Sequence, residues 1–323
     1  MIANAPSQSY QQVRPYLFSI AYRMTGSASD AEDLVHDAWM RHLNAGSPDV
    51  DSLRAWLTTA ISRLALDYLK SARVRREQYT GTWLPEPVLT TAVLDGPEAT
   101  VERREQVSIA LLALMERLSP DQRVVYVLRE GLDLPYDDIA AHVGKSVASC
   151  RQIFRRAQLR LASEPRPSVA PASEHRAIIE RFLAALASGD AGRVATLLAD
   201  DVVWEGDGGG KRLAWPRPVI GADRVARGWI GVMKKIPVLA ELTSMIVDIN
   251  GAPAAVSLNR GELDRVIVLD VRDGRIAAIR TIMALDKLAP LAGELGIAVA
   301  EPIEWSLSGF DRPPAPRRVQ AAI

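Results

Sequence analysis

The chain has 323 residues, with 39 lysines and arginines against 39 aspartates and glutamates and a formal net charge of zero. That length suggests about two domains, and the balanced charge excludes nucleic-acid binding by bulk positive charge, so any such binding must come from local patches. Hydrophobic residues at 48% and charged residues at 24% fit an ordinary soluble globular chain, and no apolar run approaches the ~18 residues of a membrane span. The single cysteine, Cys150, excludes an internal disulfide, and four scattered histidines leave no metal-ligand spacing. The N-terminus has no basic n-region of a secretory signal, so the expected location is cytoplasmic and no membrane is involved. No cofactor, metal or catalytic residue is predicted.

Residues 8–80 read as helices. Ser29-Asp30-Ala31-Glu32 has the form of a capping box. Ala31, Leu34, Val35, Ala38 and Leu43 follow at helical spacing as a buried stripe, with Glu32, Asp33, His36 and Asp37 on the other face. The polar, turn-rich loop Asn44 to Asp49 precedes a helix from Ser52 to Ala72, whose apolar side carries Trp56, Leu57, Ala60, Ile61, Leu64 and Leu69. Its end gathers Lys70, Arg73, Arg75 and Arg76. Cations there suit the helix dipole, but four within seven residues exceed what capping needs, so the cluster reads as a phosphate-binding patch.

Residues 81–103 form a linker, opening on Gly81-Thr82-Trp83-Leu84-Pro85-Glu86-Pro87. Its prolines exclude a continuous helix and a central strand, and a fixed local shape is expected. Residues 104–163 are helical again. Ser119-Pro120-Asp121-Gln122 is a capping box with proline at the favoured first position. A short helix, Gly144 and a new cap at Ser146 then give a helix-turn-helix pattern. The last helix buries Val147, Cys150, Phe154, Ala157 and Leu161, and shows Ser149, Arg151, Gln152, Arg155, Arg156 and Arg160 elsewhere. No acid occurs between Lys145 and Leu161, and arginine and glutamine are residue types that read base edges in the major groove.

A stiff second linker covers 164–173. Residues 174–290 open with helices (177–187 and 191–198) and continue with strands at 202–204, 239–249, 254–258, 266–271 and 276–283, the last two joined by an Asp273-Gly274 hairpin turn. With a helix at 222–235, this predicts an α+β, cone-shaped domain enclosing a pocket. Glu205, Asp207, Asp270 and His175 are its candidate acid–base groups. Each carboxylate reads better as a surface or turn residue, and His175 as an edge residue. Asp207-Gly208-Gly209-Gly210-Lys211 has the makings of an anion-binding nest, without the serine or threonine of a P-loop. The tail, 291–323, is expected to be partly disordered from Arg312.

The fold class expected is therefore multidomain: two all-α helical domains, the second a helix-turn-helix, and a C-terminal α+β domain. Tyr22-Arg23-Met24-Thr25-Gly26-Ser27, Asp30 to Trp39, Arg54-Ala55-Trp56-Leu57-Thr58-Thr59, Asp67 to Arg73 and Leu118 to Val125 resemble regions 2 and 4 of an extracytoplasmic function (ECF) sigma factor. Tyr79 to Pro87 resembles the subgroup that carries a SnoaL-like C-terminal extension. The resemblance implies that Glu32, Asp33, Asp37 and Trp39 contact the β′ clamp helices of RNA polymerase core, with the β flap as a further contact. It implies that Asn44, Ser47, Asp49, Leu53, Trp56, Arg63, Lys70, Arg73, Arg75 and Arg76 serve the −10 element of promoter DNA. Lys145, Ser146, Ser149, Arg151, Gln152, Arg155 and Arg156 would serve the −35 element. Trp83, Pro85, Asp207, Gly208, Gly209, Gly210, Lys211, Asp286 and Lys287 would form an interdomain regulatory contact. Asp286-Lys287-Leu288 keeps only the second half of the subgroup's Asn-Pro-Asp-Lys-Leu motif. A small-molecule ligand in the C-terminal pocket and a monomeric free state complete the expectations.

Overall fold

The computed structural model describes residues 5–46, 53–77, 79–94, 101–162, 171–235 and 242–302. The first helical block is α1 (Ala5–Thr25), α2 (Ala28–Asn44) and α3 (Leu53–Glu77). The second holds the short α4 (Thr90–Val93), α5 (Val101–Glu105), α6 (Ile109–Met115), and α7 (Pro120–Tyr126), which runs on as a π turn to Gly131. Then come α8 (Tyr136–Val143) and α9 (Val147–Ala162). The Ser119 capping box forms with both of its reciprocal hydrogen bonds, and Gly144 closes α8 in the left-handed region at φ 66°. The helix-turn-helix predicted from the sequence is thus present. Both blocks share one apolar core, from Leu17, Tyr22 and Leu57 to Leu112, Val124, Phe154 and Leu161.

The C-terminal block is α10 (Ala172–Ala187), α11 (Ala191–Thr196), β1 (Leu198–Asp207), β2 (Val219–Ile220), α12 (Ala222–Lys235), β3 (Thr243–Ile249), β4 (Ala252–Asn259), β5 (Glu262–Arg272), β6 (Arg275–Ile282) and α13 (Leu285–Leu295). One six-stranded sheet runs β2-β1-β6-β5-β4-β3. Among the strands of the described residues, β1 and β6 pair in parallel and the other neighbours antiparallel. Irregularities between Ser257 and Leu258 and between Asp270 and Val271 interrupt the ladders, as bulges that bend strands do. Asp273-Gly274, at φ 52° and 72°, makes the expected hairpin turn.

Side chains alternate across the sheet, and both faces are buried. Ala255, Ile267, Leu269 and Val271 meet Phe182, Val194, Trp204 and Trp229 on the helical side, so this face is packed with aromatic and aliphatic side chains. Ala254, Val256, Val266 and Val268 meet Leu84, Ile109, Leu288 and Leu291 on the other. An antiparallel sheet often leaves one face to water. Here the first linker, α6 and α13 cover that face.

Several expectations change. The cap of α2 is Ser27 rather than Ser29, accepting from the Asp30 N–H. Leu43 is exposed and His42 takes its place in the buried stripe. The helix that carries Trp56 runs to Glu77, so the basic cluster lies within it. Helix α13 crosses position 290, and an isolated bridge joins Leu263 to Val299, so ordered structure continues beyond the expected end of the domain. Positions 303–323, including the tail from Arg312, lie outside the described residues. No helix among the described residues is long and apolar enough to cross a membrane.

Candidate functional site

The first linker is the junction of all three blocks. Asp207, at the end of β1, is 1% exposed, which corrects its reading as a surface or turn residue. Its carboxylate accepts from Tyr79 Oη (2.6 Å), the Leu84 N–H (2.8 Å), the Gly209 N–H (3.0 Å) and Lys287 Nζ (2.6 Å). Lys287 also donates to the Leu84 carbonyl (2.6 Å), and its ammonium lies 4.1 Å from the centre of the Trp83 ring. Burial pushes the Lys287 pKa down, against the pull of Asp207. Burial and then the hydrogen bond to Asp207 raise that of Tyr79. An ion pair taken out of water survives only with its remaining hydrogen bonds satisfied, and here the linker backbone satisfies them.

The glycines after Asp207 serve the same junction. A Cβ on Gly208 would stand 2.1 Å from the Arg212 carbonyl oxygen, and one on Gly209 2.9 Å from the Ala284 Cβ. The Gly209 N–H is taken by Asp207, so the segment is a tight turn rather than the nest expected for an anion. Lys211 and Asp286 are exposed. Trp83, Asp207, Gly209 and Lys287 meet at this junction, while Pro85 is buried and Gly210 is exposed.

Two further ties were missed by sequence reasoning. Glu86 is buried between Pro85 and Pro87. Its carboxylate accepts from Ser27 Oγ (2.7 Å), the Ala28 N–H (2.6 Å), the Ser29 N–H (3.1 Å) and Ser29 Oγ (3.1 Å), capping α2 from the linker. Asn250, at the β3–β4 turn, exchanges hydrogen bonds with the Val88 backbone and donates to Tyr22 Oη (2.6 Å) and the Val107 carbonyl (2.8 Å). Asn250-Gly251 carries a readable hairpin signal, but turn chemistry does not say what the tip touches.

The expected polymerase-facing residues divide. Asp33 and Asp37 are exposed. Glu32 pairs with Arg14 at 2.6 Å, and Trp39 packs with Tyr10 and His42. Among the residues expected at the −10 element, Asn44, Arg63 and Lys70 are exposed, and Leu53 and Trp56 half-buried. Ser47, Asp49 and the side chains of Arg73 and Arg75 lie outside the described residues. Arg76 turns inward: it donates to the Thr25 carbonyl (2.8 Å), pairs with Glu116 and stacks on Trp83. Along α9, Ser146, Arg151, Gln152, Arg155 and Arg156 are exposed and Ser149 half-buried. Lys145 pairs with Asp121 at 3.3 Å.

Helix α8 of the helix-turn-helix packs on α3. There His142 Nδ1 lies 2.6 Å from Thr59 Oγ1. Burial lowers the His142 pKa, Asp138 opposes this and Arg63 adds to it. The folded value lies below the ordinary 6.5, so the stability of the buried neutral imidazole is at full strength above pH 6.5 and is lost as pH falls through and below it. The melting temperature should therefore fall between pH 7.5 and 5.5, and His142→Gln should flatten the curve in part. His175, also buried and lowered, keeps its share of the same sign. An unchanged slope in the variant would exclude this role for His142.

The other candidate acid–base groups are also engaged. Arg280 holds both Asp270 (2.5 Å) and Glu205 (3.3 Å). His175 is buried rather than at an edge. Cys150 is buried, as expected of a core residue.

Comparison with known proteins matches three families in order: sigma-70 region 2 at residues 9–75, sigma-70 region 4 at 108–161 and a SnoaL-like domain at 179–279. The ECF RNA polymerase sigma factor SigJ of Mycobacterium tuberculosis is 38% identical over 288 residues, 86% of this chain and 91% of the relative. The probable ECF sigma factor SigI of the same organism is 34% identical over 90% of this chain and 97% of its own. The crystal structure of M. tuberculosis SigJ superposes with a TM-score of 0.70 at 36% identity, covering 88% of this chain and 98% of that one.

Proposed function

The chain belongs to the ECF RNA polymerase sigma factors, and we propose that its SnoaL-like domain controls in cis where and when it directs core polymerase to promoters. The first block serves core binding, through Asp33 and Asp37, and the −10 element. The second serves the −35 element through α9. Both act in the cytoplasm, where polymerase works. The C-terminal domain acts by contact rather than by catalysis: Asp207, Asp270 and Glu205 each face a cation that occupies them.

The carrying observation is the packing of α8 on α3. Elements named for positions −35 and −10 lie about 25 base pairs apart, roughly 85 Å along B-form DNA. Two readers in side-by-side contact cannot span that distance, so this arrangement is closed. Asp207, Lys287 and Asn250 fasten the linker that must move for it to open. A coupling of a few kcal/mol is enough for such a switch.

Run-off transcription with purified core polymerase tests this, using the full chain and a version ending at Ser173 on the promoter upstream of the protein's own gene. Specific initiation is expected from both, in different amounts. Equal transcription from the two forms would remove the regulatory role. Failure of either form to bind core would remove the sigma role itself.

A further inference from the structure

Three hairpins of the C-terminal sheet turn on the same two-residue geometry: Asn250-Gly251 joins β3 to β4, Arg260-Gly261 joins β4 to β5, and Asp273-Gly274 joins β5 to β6. All six residues have positive φ, between 50° and 87°, as tight hairpins of this kind require. That geometry makes no demand for burial. Arg260, Gly261, Asp273 and Gly274 are exposed, and a Cβ on either glycine would meet nothing within 4 Å. Asn250 and Gly251 are buried instead. A Cβ on Gly251 would stand 2.7 Å from the carbonyl oxygen of Arg104 and 2.9 Å from its Cα. The Gly251 N–H donates to Thr90 Oγ1 (3.0 Å). This tip is thus set into the rest of the chain, where the other two meet solvent.

The Asn250 amide is the polar end of the tip. An asparagine side chain offers two N–H donors and a carbonyl acceptor, and all are used. Oδ1 accepts from the Val88 N–H (3.0 Å), and Nδ2 donates to Tyr22 Oη (2.6 Å) and to the Val107 carbonyl (2.8 Å). Tyr22 belongs to α1 in the first helical block, and Val107 precedes α6 in the second. Asp207 and Lys287 grip the linker, whereas this amide bonds to both DNA-reading blocks at once. Tyr22 Oη gives its own hydrogen to the Glu86 carbonyl (2.7 Å), so toward Asn250 it can only accept.

We propose that the Asn250-Gly251 turn is an autoinhibitory latch, by which the C-terminal domain holds the two DNA-reading blocks together and which must withdraw before they part. It rests on the closed arrangement proposed above. Both amide donors are satisfied only while Tyr22 and Val107 are neighbours, so the latch stabilises the closed form selectively. An aspartate would keep the turn, as Asp273 does in its own hairpin. Its carboxylate has no donor for Tyr22 Oη or the Val107 carbonyl, and a buried acceptor left unmet is costly.

Thiol labelling of the full chain, without polymerase, tests the latch. Every protein compared carries His142→Cys, which places a thiol where α8 meets α3 at Thr59. Cys150, fully buried where α9 packs on α7 and α8, reports unfolding of the helix-turn-helix itself. Where closing outruns the reagent, each labelling rate is proportional to the exposed fraction. Asn250→Asp and Gly251→Ala should each raise the rate at position 142 about tenfold or more, equal to about 1.4 kcal/mol, and leave that of Cys150 unchanged. Gly274→Ala sets a Cβ on a similar positive φ without the contact, and should change neither rate. An unchanged rate at position 142 in Asn250→Asp or in Gly251→Ala would overturn the latch. So would parallel rises at position 142 and Cys150, or an equal rise in Gly274→Ala. If position 142 labels as fast as an unhindered thiol when His142→Cys is the sole change, the closed arrangement is wrong and the latch falls with it. Slow labelling that the turn variants leave unaltered removes the latch alone. None of these outcomes depends on polymerase, so failure of the sigma reading is recognised separately.

Discussion

Replacing Asp207 with asparagine should destabilise the chain by about 3–5 kcal/mol, the loss expected when one partner of a buried ion pair is removed. The side chains of Asp207 and Lys287 are 0% and 4% exposed, so neither gains water when the other is altered. The two partners are not equivalent. Without Asp207, the Lys287 ammonium keeps the Leu84 carbonyl and the face of Trp83. Without Lys287, the Asp207 carboxylate keeps three donors: Tyr79 Oη and the N–H groups of Leu84 and Gly209. Lys287→Met should therefore cost less, about 1–3 kcal/mol. The double variant should cost less than the sum of the two, because each single change leaves a partner stranded. Urea unfolding of the four proteins measures all three quantities. Additive losses, or a larger loss from Lys287→Met, would mean that the pair does not work as a unit.

That pair shows how far a sequence can be read. The helical blocks, the helix-turn-helix and the Asp273-Gly274 hairpin follow from local rules: cap residues, apolar spacing and turn dipeptides. The buried roles of Asp207 and Lys287 do not, because charged residues are usually exposed and these two stand 80 positions apart. The glycine run after Asp207 drew attention to that residue, and only the resemblance of its surrounding motif drew attention to Lys287. Ser29 to Glu32 satisfies the pattern of a capping box, yet a better-placed carboxylate arrives from Glu86, 59 positions after Ser27. Arg76 looked like part of a DNA-facing cluster, since four cations in seven residues read as one patch. Tertiary contact with Glu116 and Trp83 separates it from its neighbours. Pattern reasoning sees faces of single helices, and the site here is made where segments distant in sequence meet.

Glu86→Ala should remove about 3 kcal/mol of stability and loosen the first turn of α2. The first N–H groups of a helix have no partner within it, and at α2 those of Ala28 and Ser29 are met by the Glu86 carboxylate. Each buried donor left unmet costs about 1–3 kcal/mol, and loss of the negative charge at the positive end of the helix adds about 0.3–1 kcal/mol. Glu86→Gln retains one oxygen acceptor, so its loss should be about half as large. Pro85 and Pro87 restrict the backbone on either side of Glu86, which fixes the carboxylate before α2 meets it and limits the entropy lost on docking. The same residue ties α2, whose exposed Asp33 and Asp37 are proposed to meet polymerase, to the linker that Asp207 and Lys287 hold. A change at the C-terminal domain can thus reach α2 through one side chain. Amide hydrogen exchange at Ala28, Ser29 and Asp30 separates this from a general loss of stability: these three should exchange fastest in Glu86→Ala and at an intermediate rate in Glu86→Gln, while the core of α9 changes only with global stability. Equal protection of the α2 amides in all three proteins would show that the cap does not depend on Glu86, and would break the proposed connection between the linker and α2.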